Sequence, residues 1–268
     1  MRTSRAVALA VMLSGVGPAA WADEPPALAK ARALYNAADF EGAIDAASVA
    51  RQQAAWADAA ALVIARSHLE QYRQRAGAAD LAAAREALSA VRAAALNPRD
   101  QVDLIIGLGQ TLYLGESYGA AGELFDTALS RAALLGTRDQ LLLLDWWATA
   151  LDREAQSRPP DKRAAVFGRI AARMGDEIRR DPGNAVANYW KAVAARGMGD
   201  LDDAWNAAVA AWVRSRLSPE AEKLRTDLDR LMTQALIPER SRTVVARDQQ
   251  EALSALTTEW ELLKGQWK

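Results

Sequence analysis

Cysteine is absent from this 268-residue chain, and histidine occurs only once, at His68. Without cysteine the chain can form no disulfide, no thiolate metal site and no cysteine nucleophile, and it cannot carry the lipidated cysteine of a bacterial lipoprotein. A Ser–His–Asp triad would need His68 as its base, and a zinc site usually needs two or more histidines. The sequence therefore predicts a protein that is not an enzyme, with no catalytic residue, no metal site and no cofactor.

Strand signals are also missing, because β-branched and aromatic residues never alternate with polar ones over a run. Alanine, the best helix former, accounts for 61 residues, whereas the 16 glycines and 9 prolines fall between helical runs. The fold class predicted is all-α. The net charge of −1 disfavours nucleic acid as a partner and also a polybasic membrane-binding protein, since both need a concentrated basic surface.

The first 22 residues have the pattern of a secretory signal peptide. Arg2 and Arg5 precede an apolar run over residues 6–16, and Ala20 and Ala22 supply small side chains at the −3 and −1 positions of a cleavage site. The alternative, a membrane anchor, is disfavoured because the run is too short to span a bilayer of roughly 30 Å. We expect cleavage after residue 22, no membrane span in the mature chain, and a periplasmic or secreted location.

A repeat is the strongest signal in the remaining sequence. Between Asp103 and Ala132, a large–small pair, an aromatic residue at a turn and a small–aromatic–small triplet recur at fixed spacing. The residues are Leu108, Gly109, Leu112, Tyr118, Ala121, Phe125 and Ala128. This spacing resembles that of the tetratricopeptide repeat (TPR) superfamily.

The same turn and second helix recur over residues 39–51, with Ala43 and Ala50, and over residues 184–212, with Gly199 at the turn. Two further hairpins fit less well. Residues 56–96 offer Ala87 and Ala94 as their small pair, and residues 139–180 offer Ala165 and Ala172.

The resemblance implies a TPR-like α-solenoid of about five helix hairpins over residues 23–217, in which the first helix of each hairpin lines a concave groove. Residues 218–268 are predicted to form capping helices, the first stopped by Pro238. The last helix carries an apolar seam that seals the end of the array or, alternatively, docks a second copy or a partner. The seam residues are Leu253, Leu256, Trp260, Leu263 and Trp267.

The function implied by the resemblance is a periplasmic adaptor that holds a protein or peptide partner, such as a member of a cell-envelope complex, in its groove. The alternatives are a periplasmic carrier of a small hydrophobic ligand that serves a transporter, and an enzyme on cell-wall glycans that uses two carboxylates. A shift of one residue in register would move the candidate groove contacts into the core. These contacts are Arg32, Tyr35, Gln110, Tyr113, Tyr189 and Arg196.

One string imitates a catalytic motif. Residues 115–119 match the G-x-S-x-G of a nucleophile elbow, but that motif requires a strand before the serine. Here a helical run precedes Ser117, and the string coincides with the turn of the best repeat. We interpret it as a turn between helices.

Overall fold

The computed structural model describes residues 24–218 and 220–267, and in these ranges the chain is built of helices without a β-strand. The all-α prediction is confirmed. Within the same ranges no helix is both long and apolar enough to cross a membrane. The predicted signal peptide lies outside the described residues. The chain divides after Ala150 into two compact units, called unit 1 and unit 2.

Unit 1 consists of helix hairpins packed side by side. Each antiparallel pair, α1 with α2, α3 with α4 and α5 with α6, is joined by a short turn, and the first helices contact one another in the order α1, α3, α5. The helices are α1 Pro26–Asn36, α2 Phe40–Ala50, α3 Ala57–Arg75, α4 Ala78–Ser89, α5 Pro98–Leu114, α6 Tyr118–Leu129 and α7 Thr137–Ser157, which continues into unit 2.

Unit 2 contains the remainder of α7 and a second set of helices. Helix α9 contacts both α8 and α10, and α12 contacts α13. The helices are α8 Pro160–Arg180, α9 Ala185–Met198, α10 Leu201–Arg214, α11 Ala221–Leu231, α12 Ile237–Ser241 and α13 Gln249–Gln266. The predicted boundary between array and cap, at residues 217 and 218, stays a prediction.

The hairpins α1/α2, α5/α6 and α9/α10 share one turn. In each, a residue with left-handed backbone conformation lies one or two positions after the end of the first helix. These residues are Ala38, Glu116 and Gly199 (φ 60°, 61° and 85°). The N–H of the following residue donates to the carbonyl five residues earlier, at 2.9–3.0 Å in all three. This bond defines a Schellman turn, which satisfies carbonyls left open at the helix end. The turns expected from the sequence at these three places are confirmed.

The same three hairpins bury small residues at equivalent positions. Counted from the left-handed residue, these positions lie seven residues before it and five and twelve residues after it. They hold Ala31, Gly109 and Ala192, then Ala43, Ala121 and Ala204, then Ala50, Ala128 and Ala211. A Cβ atom on Gly109 would lie 2.5 Å from the ring of Phe125, so the close crossing of α5 and α6 requires glycine there.

The small pairs expected in the other two hairpins are wrong. Helix α4 ends at Ser89, so Ala94 lies in an exposed 3₁₀ turn beyond it. In α8, Ala165 and Ala172 are exposed, because the helix buries its larger apolar side chains instead and these remove more area from water. The buried side chains are Val166, Phe167, Ile170 and Met174.

Pro238 does not stop the helix that precedes it. Helix α11 runs through a π-helical turn, Met232–Leu236, into α12, where Pro238 lies in the first turn. A proline interrupts an α-helix by removing one N–H donor and by clashing with the carbonyl four residues back, and the wider π turn relieves both effects. The expected stop at Pro238 is therefore wrong, and the helical backbone continues to Ser241.

Helix α13 packs on the rest of unit 2 through one residue of its apolar seam, Trp260, which is fully buried. Its ring lies 5.1 Å from that of Trp212, edge to face, and its Nε1 donates to Asp229 Oδ1 at 2.9 Å. Lys264 donates to the same carboxylate oxygen at 2.7 Å. These contacts dock α13 on α10 and α11.

Candidate functional site

The candidate groove residues occupy repeated positions on the first helices. Tyr35, Tyr113 and Arg196 each lie three residues before the left-handed residue of their turn, and Arg32 and Gln110 each lie six residues before it. Five of the six candidates thus lie at equivalent positions in different hairpins, whereas Tyr189 lies ten residues before Gly199, at a different position.

The two tyrosines at this position make the same aromatic contact. Tyr35 packs edge to face on Phe40 at 5.6 Å, and Tyr113 packs edge to face on Tyr118 at 5.3 Å, the partner in each case being the first residue of the second helix. Tyr113 also meets Trp146 of α7 at 5.0 Å. Such aromatic pairs contribute about 0.5–1.5 kcal/mol beyond the area they bury.

Arg32 fastens α1 to the start of α5 through a buried ion pair. Its Nη1 and Nη2 atoms donate to Asp100 Oδ1 and Oδ2 at 3.0 and 2.8 Å, and its Nε donates to Glu24 Oε1 at 2.8 Å. Asn97, which caps α5, donates to Asp100 Oδ2 as well. The two-pronged geometry is that of the strong arginine–carboxylate pair.

A second buried group of charges joins α3, α5 and α7. Arg66 Nη1 donates to Asp103 Oδ2 at 2.9 Å, and the Arg66 guanidinium lies 4.8 Å from the centre of the Tyr35 ring. Arg99 Nη2 lies 3.0 Å from Asp139 Oδ2 and 3.5 Å from Asp103 Oδ1. Charges from three helices therefore meet in the interior of unit 1. We call these residues, with the Arg32 pair, the charge array.

Burial shifts the acid–base behaviour of this array. Glu70 of α3, which pairs with Arg73 at 2.6 Å and interacts electrostatically with Arg66, belongs to the array as well. Burial raises the pKa of Glu24, of Glu70 and of Asp139 above the ordinary values, and neighbouring arginines oppose the shift only in part. Burial also raises the pKa of Tyr35 to about 12. The array thus holds carboxylates that take up protons more readily than exposed ones.

In unit 2 the candidates have other partners. Tyr189 is buried, and its ring meets that of Trp190 edge to face at 5.1 Å. The Nε and Nη2 atoms of Arg196 donate to the two carboxylate oxygens of Glu239 on α12 at 2.8 and 2.6 Å. Arg196 therefore helps to hold α12 against α9.

Solvent access divides the six candidates into two groups. Arg32, Tyr35, Gln110 and Tyr189 are buried within the chain, whereas Tyr113 and Arg196 are half-buried. Their role as contacts to a partner stays a prediction. In this conformation only the half-buried pair can touch another molecule directly.

The two residues that could suggest catalysis, Ser117 and His68, lie at a helix start and on a helix. Ser117 follows helix α5 and occupies the N-cap position of α6, as the interpretation of residues 115–119 as a turn required. His68 lies on α3 with its Nδ1 3.6 Å from Asp80 Oδ1 on α4. Over the described ranges, no group of three or more histidine, cysteine, aspartate or glutamate residues is arranged to hold a metal ion.

No family model matches this chain, and no curated protein or solved structure is detectably similar to it. A proposal about its function therefore depends on its own residues.

Sequence reasoning missed Arg66, Asp103 and Asp139, which form the centre of the charge array. A signal existed for two of them: Arg66 directly follows the apolar run of residues 59–65, and Asp103 lies between two apolar residues. Asp139, by contrast, has polar neighbours on both sides. Charged residues are rarely buried unless they are paired, so each such position predicts a partner. The sequence did not identify the partner, since Arg66 and Asp103 are 37 positions apart.

Proposed function

We propose that this chain is an exported, TPR-like α-solenoid that acts as a scaffold for a protein or peptide partner. The main support is the recurrence of one Schellman turn and three buried small positions in the hairpins α1/α2, α5/α6 and α9/α10. Repetition of a turn together with its packing positions is the property that defines a repeat array, and such arrays present extended surfaces to partners.

The half-buried residues Tyr113 and Arg196 are the proposed points of contact. Both stand at the same position of the repeat, and aromatic and arginine side chains contribute most of the binding energy at protein interfaces. Tyr113 is presented by its contacts with Tyr118 and Trp146, and Arg196 by its ion pair with Glu239. The buried candidates would support these two rather than touch the partner.

The test is affinity capture of the protein from a native envelope extract after mild cross-linking, read by mass spectrometry. One dominant, near-stoichiometric protein is the expected result. Tyr113→Ala should lose most of this capture. Tyr72→Ala is the matched control, because it removes another half-buried tyrosine, one that packs against the cluster of Leu69 and Leu81 and is not a proposed contact, and it should keep the capture.

Two outcomes would contradict the proposal. Equal capture by wild type and Tyr113→Ala, with helicity unchanged by circular dichroism, would exclude the proposed contact. Absence of any enriched protein would exclude the scaffold itself.

A further inference from the structure

The connections between the hairpins of unit 1 lie along one edge, which we call the link edge. It comprises residues 51–56, 90–97 and 130–136. Contacts join a connection to the helix that begins at the neighbouring one: the backbone N–H and guanidinium of Arg92 bond Asp58 at the start of α3, and Arg99 Nη1, at the start of α5, donates to the carbonyl of Leu134 at 3.0 Å. The three connections therefore share one side of the unit.

The exposed charged residues of the three connections are all of one sign. Acidic residues in the first turns of the helices that begin here are buried. The charged side chains that the connections turn outwards are arginines: Arg51 and Arg131 are exposed, and Arg92 is largely exposed despite its bond to buried Asp58. The buried acids are Asp58, Asp100 and Asp139, together with Asp103 one turn further into α5.

Exposed apolar residues lie within three positions of each of these arginines in the sequence. Val49, two residues before Arg51, is 57% exposed, and Leu134, three residues after Arg131, is 41% exposed. The 3₁₀ turn Ala93–Ala95 that follows Arg92 is exposed as well. Each connection, together with the residues next to it in the sequence, thus has one exposed arginine and at least one small exposed apolar side chain.

We propose that the link edge binds the surface of an anionic lipid bilayer. Its exposed arginines are separated from one another, one in each of three successive connections. This arrangement suits a plane of mobile phosphate groups. Valine and leucine side chains next to them can enter the headgroup layer, as in proteins that lie on a membrane.

The balanced net charge of the sequence concealed this surface, because a net charge sums over the whole chain; of the buried acids only Asp58 bonds a link-edge arginine, Arg92. Unit 2 repeats the combination in its own connection after α10, where exposed Arg216 precedes Leu217, which is 73% exposed. Glu86, one turn before the end of α4, is exposed and reduces the attraction near Arg92.

The experiment measures binding to vesicles of phosphatidylcholine, with or without one quarter phosphatidylglycerol, by flotation at low and at moderate salt. Three proteins are compared: wild type, Arg51→Gln/Arg131→Gln, and the control Arg75→Gln/Arg85→Gln. The control removes the same charge from exposed residues of unit 1 outside the link edge: Arg75 is the last residue of α3, before the turn to α4, and the Arg85 guanidinium lies near Gly115, at the turn between α5 and α6. Any contribution from the residues before Glu24 is common to all three proteins and cancels.

We expect wild type to bind the anionic vesicles and to be released by salt. An arginine near such a surface strengthens binding roughly fivefold, so the link-edge variant should bind about 25-fold more weakly. The control should differ from wild type by less than about threefold.

Three results would overturn the proposal. Wild type could fail to bind anionic vesicles at low salt, or both double variants could weaken binding equally, which would indicate attraction by net charge alone. Binding to poly-glutamate but not to vesicles would assign the edge to an acidic protein instead.

Discussion

Substitution of Gly109 by alanine tests the packing of the repeat most directly. The new Cβ would lie 2.5, 2.8 and 3.2 Å from three carbons of the Phe125 ring. Phe125 is fully buried and also packs on Trp146 at 5.8 Å, so its ring has little room to move. Overpacking of this kind costs about 1–3 kcal/mol.

Gly168→Ala is the matched control, because nothing lies within 4 Å of a Cβ at that position of α8. Replacing glycine by alanine inside a helix stabilises it by about 1 kcal/mol when the new methyl group meets nothing. Gly109→Ala gains the same helix propensity and adds the clash. The difference in unfolding free energy between the two variants should therefore equal the clash, about 1–3 kcal/mol in favour of Gly168→Ala.

Urea unfolding followed by far-ultraviolet circular dichroism measures this difference. A second variant, Gly109→Ala/Phe125→Leu, should recover part of the loss because the smaller side chain vacates the space of the ring. If Gly109→Ala proved as stable as Gly168→Ala, the close crossing of α5 and α6 would be incorrect.

Three further predictions concern the charge array and the turns. Asp103→Ala should destabilise the protein by about 3–5 kcal/mol in urea unfolding, because it leaves the buried Arg66 charge without its partner; a loss below 1 kcal/mol would contradict that pairing. Glu116→Gly should stabilise by about 0.5–1 kcal/mol in thermal unfolding, since glycine removes the cost of the left-handed conformation; no gain would mean that the turn is unstrained. Carboxyl groups whose pKa is raised by folding bind protons more tightly in the folded state, so their contribution to stability should increase as the pH falls from 7 towards the ordinary pKa values of these side chains; urea titrations in which wild type gained no stability relative to Glu70→Gln over this range would refute the assignment. These carboxyl groups belong to Glu24, Glu70 and Asp139.

The sequence predicted the hairpins best where a turn signal accompanied the small residues. Gly199 followed by Asp200, and Asp39 before Phe40, mark both the end of one helix and the N-cap of the next, which local chemistry determines. Pairs of alanines alone failed in α4 and α8. With so much alanine in the chain, such pairs arise by chance, and the larger apolar residues decide which face is buried.

The sequence predicted where the candidate residues lie in the repeat, but not whether they are buried or which residues they contact. Periodicity placed Tyr35 and Tyr113 on the first helices, and the structure puts them at the same place in the repeat. Whether such a face is open or covered depends on how neighbouring hairpins stack. The Arg32–Asp100 pair spans 68 positions of sequence, and a pattern read within one hairpin contains no information about it.

The position of the division between the units has a practical consequence. It falls after Ala150, inside the uninterrupted helix Thr137–Ser157. Proteases cut extended and exposed segments, and a regular buried helix offers them none. Limited digestion should therefore leave this boundary intact and begin instead at connections such as the exposed residues 51–55. The lengths of the fragments released first should therefore match neither unit 1 nor unit 2.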